Sequence, residues 1–225
     1  VAPQLPGAHP KAHKVSQAEA AHELAERDPV IAKLVDAAGP PKFRRPQDSH
    51  FAALVRAIVY QQLAGAAASA IHRRLVAALG TATEPHALAA LPDDAMRAAG
   101  LSAGKTASLR DLAAKVLDGT VVLTSRGLAR ESDDEVVARL STVRGIGPWT
   151  AHMFLMFQLR RLDVWPAGDF GVRRGYGLAW GVPMPKEREF AVLGDPFRPY
   201  RSIAAWYCWR AVELYAGAGE SALTR

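Results

Sequence analysis

Residues 141–157, STVRGIGPWTAHMFLMF, set two glycines two positions apart directly before the start of a helix. Gly145 and Gly147 carry no Cβ, so the chain can turn tightly there and expose successive amides. Pro148 suits a first helical position, where its missing N–H is no loss. The helix that it opens adds partial positive charge to those amides, and together they form a receptor for a phosphate oxygen such as a nucleic-acid backbone offers. A glycine turn before a helix also has purely structural uses, so the stretch gains meaning from what surrounds it.

Outward from the turn, the chain reads as helical almost throughout. Ser16 and Glu19 have capping-box spacing, and Asp28 with Pro29 interrupts and restarts that helix before Gly39 and two prolines close it. From Asp48 onward, Phe51, Leu54, Val55, Ile58 and Val59 fall on one helical face that belongs in a core. After YQQLAG, residues 60–65, a second helix carries Ile71, Leu75, Val76 and Leu79 on one stripe and stops at Gly80. Further helices are predicted over 84–90, 93–99 and 103–117, the last with Ser102 as its cap and Gly119 as its stop. TVVLT, residues 120–124, is a candidate extended segment. Ser132 with Asp133 and Asp134 starts a helix ending near Leu140, Asp169 precedes a short one, and a final helix runs from about Pro199 to Tyr215, ending at Gly217. With no strand-rich region and no internal repeat, the expected fold is all-α.

The bulk properties agree with a folded, polyanion-binding chain. Its 225 residues, 49% of them hydrophobic, can bury a substantial core as one large or two small domains. Lys and Arg number 28 against 22 acids, and the net charge of +6 favours a polyanionic partner without identifying one. Cys208, alone in the sequence, excludes a disulfide framework and a four-cysteine iron–sulfur or zinc site, and suits a reducing compartment. The seven histidines form no pair at ligand spacing on a helix, so no catalytic metal is expected. No apolar run approaches the roughly 20 residues of a membrane span, and VAPQLPGAHPKAHK lacks the apolar run of a secretory signal. Residues 1–15 are therefore expected to be a flexible basic tail.

Leu140, Gly145, Ile146, Gly147, Thr150 and Ala151 match a pattern of leucine, spacer, Gly-apolar-Gly, two variable residues and Thr-Ala. About twenty residues later, RLDVWPAGDFGVRRGYG (161–177) places Asp169 after a Val-x-Pro element, Val164 and Pro166. On these residues the chain resembles the helix-hairpin-helix DNA glycosylase superfamily. FAALVRAIVYQQLAG (51–65), GLSAGKTASLRDLA (100–113) and RPYRSIAAWYCWR (198–210) resemble its alkylated-base branch, so the likeness covers the chain from about residue 20 onward. It implies a compact form of that branch without the N-terminal β-domain of larger relatives. Residues 16–225 would form the glycosylase domain, with two helical subdomains and a cleft between them. About 50–160 would make one subdomain, and the N- and C-terminal segments with the helices after about 165 the other.

The resemblance also implies a function. The expected activity is flipping and hydrolytic excision of alkylated bases, of the 3-methyladenine and 7-methylguanine type, from damaged double-stranded DNA. The enzyme would be a cytoplasmic monomer, associated with the nucleoid when bound to DNA. Asp169 would be the essential carboxylate, stabilising positive charge on the sugar, and it is also a good helix N-cap. Bifunctional relatives carry a lysine in the hairpin where this chain has Trp149, so a monofunctional enzyme without lyase activity is expected. Trp149 and Trp209, with Tyr60, Met153 and Trp206, would wall the base pocket, although tryptophans are commonly plain core residues.

On the DNA side, Gln62 would stand where a relative has an apolar wedge. Leu63 is the alternative wedge, and a third reading has Gln61 and Gln62 simply bridging a helix joint. Gly145, Ile146, Gly147 and Thr150 would grip the backbone, and Arg144, Lys105, Arg173 and Arg174 would face phosphate unless solvated. The carbonyls of Ser141, Val143 and Ile146 would hold Na+ or K+, as in relatives, with no iron–sulfur cluster. Three rival expectations are a glycosylase for another lesion class, a non-catalytic DNA-binding module, and an all-helical interaction protein with no nucleic-acid role.

Overall fold

The computed structural model describes residues 15–80 and 82–219, all of them helix, turn or loop with no strand. Most of the expected tail, residues 1–14, lies outside the described residues, while Val15 packs partly buried against the core. The first helices are α1 (Gln17–Arg27) and α2 (Pro29–Ala38), and both expected caps are present. Ser16 and Glu19 exchange bonds in a capping box, and the Asp28 carboxylate accepts from the amides of Val30 and Ile31.

Next come α3 (His50–Tyr60) and α4 (Gly65–Leu79). The five apolar residues read as one face of α3 are all buried. On α4 the stripe is narrower than expected: Leu75 is buried, Ile71 and Leu79 are partly covered, and Val76 is exposed.

Short helices α5 (Pro85–Ala90) and α6 (Asp93–Ala98) lead to α7 (Ala103–Leu117), which the Ser102 hydroxyl caps. TVVLT forms no strand, because Thr124 caps the one-turn helix α8 (Ser125–Leu128). Then follow α9 (Asp133–Leu140), capped by Ser132, and α10 (Pro148–Met153), which continues as a π-turn over Phe154–Gln158. The chain ends with α11 (Phe170–Trp180), α12 (Glu187–Leu193) and α13 (Arg201–Gly219). α13 begins two residues later than expected. Its first N–H is taken from outside the helix, by Asp163 at 3.4 Å.

The helices pack in two groups around one continuous core. α1, α2, α11 and α13 contact one another, and α3 to α7 with α9 and α10 form the second set. Within the first group, α11 and α13 approach so closely that a Cβ on Gly175 would lie 1.7 Å from the Cys208 carbonyl oxygen. Only hydrogen fits there. The Cys208 thiol is fully buried at this crossing, and burial pushes its pKa well above the usual thiol range.

This crossing makes the sign of a substitution informative. On helix propensity alone, Gly175→Ala would stabilise by about 1 kcal/mol. The steric conflict with the backbone should reverse that, lowering unfolding free energy by about 2–4 kcal/mol in a urea titration.

Candidate active site

Asp169 is presented by a loop that α13 holds in place. Ser202 Oγ accepts from the amide of Val164 at 3.0 Å and donates to the Arg161 carbonyl at 2.7 Å. The Arg201 guanidinium grips Asp163 through Nε at 2.8 Å and Nη2 at 3.0 Å. Trp165 then anchors the loop in the core, donating its indole N–H to the Phe190 carbonyl at 2.8 Å. Pro166 accepts from the Asp169 amide at 2.8 Å, which turns the chain and starts α11.

Three N–H groups converge on the Asp169 side chain. Oδ1 accepts from the Val172 amide at 2.8 Å and from Trp209 Nε1 at 3.0 Å, and Oδ2 accepts from Trp149 Nε1 at 2.6 Å. Asp169 is thus the N-cap of α11 and, at the same time, a buried carboxylate only 7% exposed. Trp149 rides on α10 and Trp209 on α13, so the carboxylate sits where the two helical groups meet. Ionised, it has one lone pair left on Oδ2 after local bonding is counted as one N–H per lone pair.

The glycine turn lies two residues before Trp149. Gly145 has φ +78°, and a Cβ there would also lie 2.6 Å from Ser108 Oγ, so the position needs glycine twice over. A Cβ on Gly147 would meet nothing within 4 Å, which leaves open space over the start of α10. Among the described residues, no protein acceptor takes the N–H of Gly145 or Gly147. The turn is braced from behind by Asp111, whose Oδ2 accepts from the Arg144 amide at 2.7 Å and from Lys115 Nζ at 2.8 Å. Burial acts to raise the Asp111 pKa, but these two donors outweigh it and hold the carboxyl below its usual range.

Gln61 ties this turn to the joint between α3 and α4. Its Nε2 donates to the Gly145 carbonyl at 2.8 Å and to Thr150 Oγ1 at 3.3 Å. Gln62 has φ +56° and is exposed, and Leu63 is 39% exposed beside it, so both wedge candidates project from the same tip. Of the three readings of this turn, the helix-bridging one describes Gln61 alone.

An apolar cavity of about 300 Å³ opens between α3 and α10, with walls from Tyr60, Met153, Phe154 and Phe157; Asp169, Trp149 and Trp209 do not line it. Phe157 stacks on Trp209 with ring centroids 5.8 Å apart, and Met153 lies one helical turn beyond Trp149. Trp149 is 49% exposed, which is unusual for a large aromatic already engaged in a hydrogen bond.

Other candidates fall elsewhere. Trp206 is a core residue, covered by the Arg210 guanidinium 5.2 Å from its ring, and it does not line the cavity. Lys105 does not reach toward phosphate: its ammonium donates to the carbonyls of Val59 and, at 2.9 Å, Gln61, closing the C-terminus of α3. Desolvation there lowers the Lys105 pKa. Arg173 donates to the Pro185 carbonyl at 3.3 Å. The Arg144 side chain is exposed at the turn. Sequence reasoning missed Phe154, Phe157 and Arg56, another residue at the cavity; the π-turn that aims the two phenylalanines has no sequence signal of its own.

Among the described residues, no cluster of His, Cys, Asp or Glu could hold a metal ion, and no helix is long and apolar enough to cross a membrane.

Comparison with known proteins identifies the family and the fold. Residues 55–193 match the model of the HhH-GPD superfamily base excision DNA repair proteins. DNA-3-methyladenine glycosylase 1 of Schizosaccharomyces pombe is 35% identical over 164 residues, covering 72% of each chain. The solved structure of the S. pombe 3-methyladenine DNA glycosylase in complex with abasic DNA superposes with TM-score 0.77 at 32% identity, over 88% of this chain and 98% of that one. A DNA-3-methyladenine glycosidase from Bacillus halodurans gives TM-score 0.80 at 31% identity, over 88% and 91%. With a glycine hairpin, a buried carboxylate between two indoles and a family match over most of its length, the chain belongs to the HhH-GPD superfamily of base excision DNA repair proteins.

Proposed function

We propose that this protein is a monofunctional DNA glycosylase that excises alkylated bases from duplex DNA by hydrolysing the N-glycosidic bond. The observation that carries this reading is the Asp169 carboxylate, held by Trp149 and by Trp209, whose ring stacks on the Phe157 wall of the aromatic cavity, with a turn of unclaimed amides two residues before Trp149. The turn and the start of α10 grip a phosphate, the tip at Gln62 and Leu63 enters the stack, and the extruded base enters the cavity. As the glycosidic bond lengthens, positive charge grows on the sugar, and the fixed carboxylate stabilises it without having to reorganise. Water then adds to the anomeric carbon.

Trp149 occupies the place where lyase chemistry would require a lysine amine, and no lysine lines the cavity. The product is an intact strand with an abasic site. The protein acts as a monomer wherever the duplex lies, which in a bacterial cell is the cytoplasm. The hairpin fits a monovalent cation in donor chemistry, since carbonyl oxygens suit a hard ion. Ser141, Val143 and Ile146 would hold it. The Val143 oxygen already accepts from the Ile146 amide at 3.0 Å and keeps a second lone pair. Such an ion would add positive charge at the phosphate contact and takes no part in bond cleavage.

Asp169→Asn tests the central assignment. Asparagine remains a good N-cap, so α11 should persist, and thermal denaturation checks this. Its amide nitrogen cannot accept from an indole, and the anion is gone. Base release from methylated DNA should fall by about a thousandfold or more while affinity for abasic duplex is retained. Release at the wild-type rate would overturn the reading, as would borohydride trapping of a protein–DNA adduct for its monofunctional part. Trp149→Phe keeps an aromatic ring beside the carboxylate and removes the indole donor to Oδ2. Single-turnover release should slow by about tenfold or more, with affinity for abasic DNA changed less than the rate.

A further inference from the structure

The cavity between α3 and α10 has an uneven charge inventory. Its polar lining comes from Arg56, Thr150 and Gln158, and no carboxylate lines it. Arg56 lies over the Tyr60 ring, its guanidinium carbon 5.1 Å from the centroid. The nearest acidic partner is Asp48, 3.9 Å from Nη1, and both side chains are about half exposed, so that pair is loose and screened. The one charged side chain on the wall of the cavity is therefore positive, and it lies over the ring of Tyr60, another wall residue.

Bases differ in how they meet such a charge. A base alkylated on a ring nitrogen carries a positive charge before excision and leaves as a neutral molecule. When the bond from the sugar to a neutral purine breaks, the electron pair stays on the base, which departs as an anion. Water supplies the balance: its oxygen bonds to the anomeric carbon, one proton is released, and the base anion takes up one proton. A guanidinium close to the departing base stabilises the second course and gives the first nothing. A purine with a carbonyl beside an unalkylated ring nitrogen also offers two adjacent acceptors to the guanidinium fork, whereas methylation of that nitrogen removes one acceptor and adds a like charge.

We propose that Arg56 is a specificity-determining residue, which extends the activity toward neutral, acceptor-bearing purine lesions by holding the departing base through its guanidinium. This rests on the reading that the cavity receives the extruded base. It gives Arg56 a role separate from that of Asp169: the aspartate serves the sugar for every substrate, and the arginine serves the leaving base for one class of them.

The test compares kcat/KM of Arg56→Gln and Arg56→Lys with wild type on two duplexes, one with a single hypoxanthine and one with a single 7-methylguanine. For Arg56→Gln, hypoxanthine excision should fall about tenfold or more, while 7-methylguanine excision stays within about twofold or rises. Arg56→Lys, which keeps the charge without the planar fork, should fall between the two for hypoxanthine. An equal loss on both bases would mark Arg56 as a phosphate contact or a folding residue and overturn the proposal, as would unchanged hypoxanthine excision. Ala57→Phe, filling the cavity, separates the underlying reading from the proposal. Loss of both activities with folding retained in a thermal melt supports the cavity as the base site. Retention of both means that the base binds elsewhere, and the proposal falls with that reading.

Discussion

A buried carboxylate with two indole donors on opposite sides constrains everything around it. Taking an aspartate out of water costs several kcal/mol unless its oxygens are satisfied, and here the donors arrive from Trp149 on α10, Trp209 on α13 and the amide of Val172. The two tryptophans belong to different helical groups, so the charge can be buried only if those groups meet in one register. The loop from Arg161 to Gly168 must then have a fixed length and path, which Ser202, Arg201 and Trp165 enforce. In this way the requirement for a strong anion at one point sets the relation between distant parts of the chain. The rigidity also suits the role proposed for Asp169, because a carboxylate already oriented loses nothing to reorganisation when positive charge develops beside it.

A second tie connects the glycine turn and the exposed tip between α3 and α4. Gln61 reaches from the α3–α4 joint to the carbonyl of Gly145 and the hydroxyl of Thr150, so the exposed tip at Gln62 and Leu63 and the glycine turn are spaced by one side chain. Lys105 fixes the same joint from the other side through the carbonyls of α3. Both residues are polar and close to the exposed tip, yet their hydrogen bonds run to the protein's own carbonyls and hydroxyl. They hold the bare amides of the turn and the projecting tip at a set spacing.

The parts of this architecture that were legible in the sequence are those set by neighbours along the chain. Ser16, Asp28, Ser102 and Ser132 announce helix starts because a cap bonds two or three residues ahead, and the buried face of α3 follows from helical period alone. Gly145 was legible as a turn residue for a similar reason, whereas Asp169 stood out only through the resemblance to the glycosylase superfamily's pattern. The π-turn after Met153 was not, since FLMFQ has the composition of any buried helix, and its consequence is the placement of Phe157 against Trp209. The misplaced residues have partners far away: Lys105 is bound to α3 more than 40 residues earlier, and Trp206 faces inward on a helix too uniformly apolar to show which side is buried. The joint grip on Asp169 spans separations of 20 and 40 residues, and only the folded chain reveals it.

The crossing of α11 over α13 has a chemical side as well. Agents that methylate DNA are electrophiles, and they attack a thiolate far more readily than most other groups in a protein. The one sulfhydryl in this sequence, Cys208, lies beneath the helix pair that Gly175 allows to close, and its surroundings keep it protonated. A repair protein working amid such reagents is thereby spared covalent inactivation at its softest atom, and a glycine chosen for packing doubles as armour.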